Sequence, residues 1–164
     1  MHPATLPLTA LLDACTESHT RRSGPGGQHR NKTQTAVVLR HGPTGISAEA
    51  SERRSQAENR QVAIQRLRLK LALEHRTPAL PVASRLWQSR VRGRQLVISA
   101  SHEDYPALVA EALDQLQCRG LEMPRTAEPL GVTATQLLRL FKKSPAVWTA
   151  LNKLRAAKGL PALH

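Results

Sequence analysis

Thr35-Ala36-Val37-Val38-Leu39-Arg40-His41-Gly42-Pro43-Thr44-Gly45-Ile46-Ser47-Ala48-Glu49-Ala50 reads as strand, turn and strand. The first strand, Thr35 to Arg40, is rich in β-branched residues, and the second, Ile46 to Ala50, alternates with period two. Between them His41-Gly42-Pro43-Thr44-Gly45 is a turn cluster, so the stretch predicts a β-hairpin with a five-residue connection. A helix follows at once. Ser55-Gln56-Ala57-Glu58 has the form of a capping box, in which the Ser55 hydroxyl accepts the Glu58 N–H and the Glu58 carboxylate reaches back. Ala63, Leu67 and Leu71 recur every four residues, and Ile64 and Leu71 are seven apart, which makes one apolar stripe for the sheet. Arg60, Arg66, Arg68 and Lys70 lie mostly off that stripe, and Thr77-Pro78 stops the helix. Hairpin and helix together predict an α/β (α+β) fold with a small sheet and one long packed helix.

Upstream, residues 8–15 predict a short helix and Glu17 to Arg22 a weakly patterned strand. Between that strand and the hairpin lies Arg21-Arg22-Ser23-Gly24-Pro25-Gly26-Gly27-Gln28-His29-Arg30-Asn31-Lys32. Glycine and proline at 24–27 forbid regular helix or strand, which leaves an exposed loop. At its tip stands a neutral amide, Gln28, flanked by Arg21, Arg22, Arg30 and Lys32. Such a loop can enter a narrow, negatively charged cavity and set a backbone N–H and an amide beside a reacting group.

Downstream, residues 78–95 read as a linker that packs through Leu86 and Trp87, and Leu96-Val97-Ile98 as a last strand. Pro106 to Gln117 is an amphipathic helix with Leu108, Ala112, Leu113 and Leu116 on one face. Thr133 caps a further helix through Leu137, Leu138, Leu140 and Phe141. Ser144-Pro145 opens another, which Gly159 ends. Gly131 before the Thr133 cap, with Ala127 four residues earlier, has the form of a helix-turn-helix turn, although generic three-helix packing accounts for it more readily than nucleic-acid or ribosome contact. The expected division is residues 1–100 as one α/β domain and 101–164 as a helical C-terminal unit.

Net charge is +12 over 164 residues. Residues 21–100 hold 16 Lys and Arg against four acids, whereas 101–164 hold eight against six. A polyanionic partner is expected, met by the segment with the glycine-rich loop. Arg suits phosphate forks better than Lys. With only Trp87, Trp148, Tyr105 and Phe141 as aromatics, base-stacking platforms are not expected. Cys15 and Cys118 belong to no metal or redox motif. No apolar run is long enough for a membrane span, and the N-terminus has no basic signal-peptide start. A cytoplasmic protein is expected.

Other chemistries fit poorly. The loop has neither Gly-Lys-Ser/Thr nor Gly-x-Gly-x-x-Gly, so it is no phosphate cradle of those kinds. Ser23 has no His and Asp partners at useful distance for a nucleophilic triad. His102-Glu103-Asp104 before a helix reads as a cap and turn more readily than as a metal site, and no metal or cofactor is expected. His29 is read as a packing or RNA-contacting residue in preference to a base.

From Arg21 to Leu73 the chain resembles the catalytic domain of class I peptide chain release factors and the small ribosome-rescue hydrolases related to them. The resemblance rests on Ser23-Gly24-Pro25-Gly26-Gly27-Gln28-His29, Asn31-Lys32-Thr33, Ala36-Val37, Pro43-Thr44-Gly45-Ile46, Arg54-Ser55-Gln56 and Asn59. It implies a compact α/β domain whose loop enters the peptidyl-transferase centre of the large ribosomal subunit. There water attacks the ester that joins nascent peptide to P-site tRNA. The Gln28 backbone N–H would stabilise the developing oxyanion, a contribution of ~3 kcal/mol for one pre-aimed donor. The Gln28 side chain would position the water, and Gly26 and Gly27 would allow the close-packed backbone. Orientation within rRNA supplies more, so no protein base is required. Arg21, Arg22, Arg30, Lys32, Arg53 and Arg54 would contact rRNA phosphates. The resemblance also implies methylation at Gln28 by a glutamine methyltransferase; a monomer is expected.

Two departures shape the expected activity. Arg30 stands where the family has an apolar residue. The chain also has no room for the separate codon-reading domain with its Pro-x-Thr-like or Ser-Pro-Phe tripeptide, and residues 101–164 replace the basic tail of the rescue hydrolases with helices. The expectation is a codon-independent, ribosome-dependent peptidyl-tRNA hydrolase active in termination or ribosome rescue. The alternative is a non-hydrolytic ribosome- or RNA-binding factor that uses the basic α/β domain and the C-terminal helices. A DNA-binding regulator built on the Gly131 turn is disfavoured by the low charge of 101–164.

Overall fold

A computed structural model describes residues 1–20 and 35–163. The chain divides into two compact units, Pro3–His75 and Arg76–His164.

In the first unit a 3-10 turn, Pro3–Thr5, leads to α1 (Leu8–Asp13) and β1 (Cys15–Thr20). β2 (Ala36–His41) and β3 (Ser47–Ala50) complete an antiparallel sheet of order β1-β2-β3. α2 (Gln56–Glu74) covers it. Register follows the side-chain period. Val37 pairs with Ala50 and Leu39 with Ala48, and all four are buried. Arg40, paired with Ser47, turns to solvent beside it. The stripe on α2 is the expected one: Ala63, Ile64, Leu67 and Leu71 are buried, with Ala72 joining them.

The hairpin connection shows why its residues are these. His41 donates its N–H to the Ile46 carbonyl at 2.9 Å, and Gly45 N–H returns to the His41 carbonyl at 2.8 Å. Gly45 sits at φ 71°, where a Cβ would be strained. Thr44 Oγ1 bonds His41 Nδ1 at 2.8 Å and accepts the Ile46 N–H at 3.3 Å. Half of the expected capping box forms: Ser55 Oγ accepts the Glu58 N–H at 3.4 Å, while the Glu58 carboxylate stays in solvent.

The second unit holds α3 (Arg85–Arg90), β4 (Val91–Arg92), β5 (Gln95–Leu96), α4 (Tyr105–Cys118), α5 (Met123–Ala127), α6 (Ala134–Lys142) and α7 (Pro145–Ala157). The division expected after residue 100 falls at 75/76. Residues 76–100 pack with the C-terminal helices through Trp87, which is fully buried and donates Nε1–H to the Leu130 carbonyl at 2.8 Å. Two polar anchors add to this. Ser84 donates both its N–H, at 2.7 Å, and its hydroxyl, at 2.6 Å, to the carboxylate of Glu111 on α4. Asp114, one helical turn on, accepts from Arg76 at 2.8 Å and from the Thr77 hydroxyl at 2.7 Å. The expected last strand over 96–98 is reduced to Gln95–Leu96, paired only with Val91–Arg92 and separate from the main sheet. Its apolar residues serve the helices instead: Leu96 and Ile98 are buried.

The remaining caps are as read. Thr133 Oγ1 accepts the Gln136 N–H at 3.2 Å, and Pro145 opens α7 at its first position. Between α5 and α6, Gly131 takes φ 67° and Val132 N–H bonds the Ala127 carbonyl at 3.1 Å, which closes a tight turn between two helices. Among the described residues no helix is long and apolar enough to cross a membrane.

Candidate functional site

The first unit's sheet has one open end, the Thr20–Ala36 pair where the chain leaves β1 and rejoins β2. The start of α2 is tied to this end by three side chains. Asn59 is fully buried and uses every polar atom it has. Its amide donates to the Thr35 carbonyl at 2.7 Å and to the Arg53 carbonyl at 2.9 Å, and its Oδ1 accepts the Arg53 N–H at 2.9 Å. Gln56 Nε2 meets His19 Nδ1 at 2.8 Å, and Arg60 donates to Glu17 at 2.8 Å. The flanks of the strand pair and the 51–54 segment are thereby fixed to one helix.

That segment carries Arg53 and Arg54, the two expected RNA-contacting residues that the structure describes. Both are exposed, and neither side chain has a carboxylate partner among the described residues. Their acidic neighbours are occupied. Glu52 is bonded by Arg66 and held at about pKa 2, chiefly by that bond and then by backbone N–H groups. Glu17 serves Arg60, with His19 Nε2 at 3.6 Å. Arg66 and Lys70 are further engaged with the carbonyls of Glu49 and Ser47. Arg53 and Arg54 are thus available to an external anion, held on a backbone that Asn59 keeps in place. The expected catalytic residues Gly26, Gly27 and Gln28, and the cations Arg21, Arg22, Arg30 and Lys32, lie outside the described residues. No group of three or more His, Cys, Asp or Glu side chains is placed to hold a metal among the described residues. His102 and Asp104 are instead both bonded by Arg90.

The role of Asn59 was legible in one respect that the sequence reading passed over. It falls four residues before Ala63, in register with Leu67 and Leu71, and a polar residue on an apolar stripe is bonded when buried.

Comparison with known proteins places this arrangement. Residues 12–96 match the family model of the RF-1 domain. The chain belongs to the RF-1 domain family. It is 59% identical over 51 residues to peptide chain release factor 2 of Acidovorax sp. (strain JS42), which covers 31% of this chain and 14% of that protein. It is 53% identical over 51 residues to peptide chain release factor 1 of Ureaplasma parvum serovar 3 (strain ATCC 27815 / 27 / NCTC 11736), with the same coverage. Over 55 residues it is 49% identical to the mitochondrial peptide chain release factor 1-like protein of Mus musculus, covering 34% of this chain and 15% of that one. The matched stretch is about one seventh of the length of these relatives. Within the RF-1 match, the sheet, α2 and its Asn59 clasp form one compact body, and residues 76–96 belong to the other.

Proposed function

We propose that this chain hydrolyses the peptidyl-tRNA ester on the large ribosomal subunit, with water as nucleophile, whatever codon stands in the A site. The observation that supports this most is the Asn59 clasp. It ties Thr35, where the chain returns from the glycine-rich segment, to Arg53 and to α2 through three hydrogen bonds of one fully buried amide side chain. A site that places a donor beside a reacting ester needs its base held this firmly. In this reading the Gln28 N–H meets the developing oxyanion, the Gln28 amide orients the water, and Gly26 and Gly27 admit the backbone conformation. Arg21, Arg22, Arg30, Lys32, Arg53 and Arg54 contact rRNA phosphates, and Gln28 is the substrate of a glutamine methyltransferase. The protein acts as a cytoplasmic monomer.

Codon independence draws support from Ser144-Pro145-Ala146, the segment nearest in sequence to a codon-reading tripeptide. It starts α7, with Val147 buried directly behind it. The test is substitution of Gly26→Ala or Gly27→Ala. Release is lost while co-sedimentation with ribosomes stays near wild type. Parallel loss of binding and release contradicts the catalytic role and leaves the loop an anchor in a non-hydrolytic binding factor.

A further inference from the structure

The near-neutral charge of residues 101–164 conceals a basic surface. With the boundary at 75/76, the second unit holds 13 Lys and Arg against six acids, because residues 76–100 contribute five arginines and no carboxylate. Most of the acids are spent internally. Glu111 and Asp114 are buried on Ser84, Arg76 and Thr77, Asp104 is paired with Arg90, and Glu122 with Arg125. Only Glu103 and Glu128 remain.

The cations are not scattered. β4 and β5 join through a two-residue turn, Gly93-Arg94, with Gly93 at φ 60°, and β5 packs on α6. Between hairpin and helix lies an open groove of about 190 Å³, lined by Gln95, Leu96, Gln136, Arg139, Leu140 and Lys143. Leu96 and Leu140 are buried and form its floor. Gln136 and Arg139 on α6 and Lys143 just past its end follow the helical repeat along one face. Arg92 ends β4 and Arg94 lies in the turn, both exposed, and Arg92 donates only to the Ser89 and Val91 carbonyls, at 3.1 Å each, among the described residues. Arg92, Arg94, Arg139 and Lys143 make no ion pair with any described carboxylate, and the Gln95 and Gln136 amides make no hydrogen bond to a described residue. Lys142, on another face, lies 5.0 Å over the Trp148 ring. A groove that carries Arg139, Lys143 and two free amides, beside a hairpin that presents two further exposed arginines, has the chemistry of phosphodiester backbone recognition.

We propose that the groove between α6 and the β4–β5 hairpin is a second nucleic-acid surface that takes the phosphodiester backbone of structured RNA. The choice of RNA over DNA rests on the ribosomal function proposed above; the groove itself selects the backbone. The expected role is recruitment: Arg92, Arg94, Arg139 and Lys143 hold the protein on RNA independently of Gln28.

The test measures binding of the full chain to a labelled RNA stem-loop and to a DNA duplex of the same sequence, across a salt series. The variant carries Arg92→Gln, Arg94→Gln, Arg139→Gln and Lys143→Gln together, all at exposed positions, with circular dichroism as the folding control. Lys153→Gln with Lys158→Gln, exposed on or just past α7, is the comparison. The expected result is a log K against log[salt] slope shallower by about 3 for the fourfold variant, at about 0.7–0.9 per contact, with the α7 pair shifting it by less than half of that. An unchanged slope in the fourfold variant, or an equal effect from the α7 pair, overturns the proposal, as does tighter binding to the DNA duplex than to the RNA. Groove-dependent RNA binding by a chain that releases no peptide would remove the hydrolytic reading and leave this surface standing. Release with no groove dependence would do the reverse.

Discussion

Asn59 holds Arg53 by both of that residue's backbone polar groups, accepting its N–H at 2.9 Å and donating to its carbonyl at 2.9 Å. A peptide segment held at both groups cannot rotate without breaking both hydrogen bonds. With the third bond to Thr35, one amide side chain sets the relation between strand, turn and helix. Replacing it by alanine removes the partner of two carbonyls and an N–H, each in a part-buried bond. Asn59→Ala is expected to cost about 3 kcal/mol of unfolding free energy. Urea denaturation measures the loss, and native-state hydrogen exchange at the Arg53 amide shows local opening. A cost below about 1 kcal/mol would mean that water replaces the amide.

The second unit depends on Trp87 in the same manner. Trp87→Phe keeps most of the buried ring and removes the donor to the Leu130 carbonyl. The expected destabilisation is about 1–2 kcal/mol, set by the orphaned carbonyl. Trp87→Ala leaves a cavity and costs about 3–5 kcal/mol. Fluorescence in a Trp148→Phe background follows Trp87 alone.

The division at 75/76 has a direct consequence for fragments. Residues 76–164 are expected to fold alone with cooperative thermal unfolding. Residues 101–164 lose Trp87, the Ser84 donors to Glu111, and the Arg76 and Thr77 donors to Asp114. That shorter piece is expected to be molten or unfolded. Equal cooperativity in the two fragments, by calorimetry, would show that the 76–100 segment is dispensable.

His41 gives the first unit a defined acid response. Burial lowers its pKa below the usual 6.5, and His75 nearby adds to the effect. The unfolded chain therefore binds a proton that the folded unit refuses, so stability is full above pH 6.5 and falls as pH drops from there through the lowered value. His41→Gln is expected to flatten this part of the stability–pH curve, measured by denaturation between pH 7.5 and pH 5 at fixed salt. A steeper fall in the variant would contradict the assignment.

Much of the first unit was legible because its signals are local. The β-branched run at 36–39, the turn at 42–45 and the 63–67–71 repeat each fix one element, and the strand period then sets the register of Val37 and Leu39 against Ala50 and Ala48. The second unit was less legible because its decisive contacts are long in sequence. Nothing local in Arg85-Leu86-Trp87 says that the indole reaches Leu130, 43 residues on. Leu96-Val97-Ile98 has strand composition, yet its burial is spent on helices. Charge shows the same limit. Glu111 and Asp114 count as surface charge in a sequence, and only the fold shows them buried. Of the site, the Arg53–Arg54 pair could be read from composition and motif, whereas the role of Asn59 required knowing which backbone groups arrive beside it.

The central claim is hydrolysis without codon reading. The measurement that tests it most directly is release of labelled peptide from P-site peptidyl-tRNA on purified ribosomes, with a stop codon, a sense codon or no codon in the A site and the full chain added. The account predicts release in all three complexes at rates within a few-fold of one another, abolished in each by Gly27→Ala. Release confined to the stop-codon complex, or ribosome binding with no release in any of them, would contradict it.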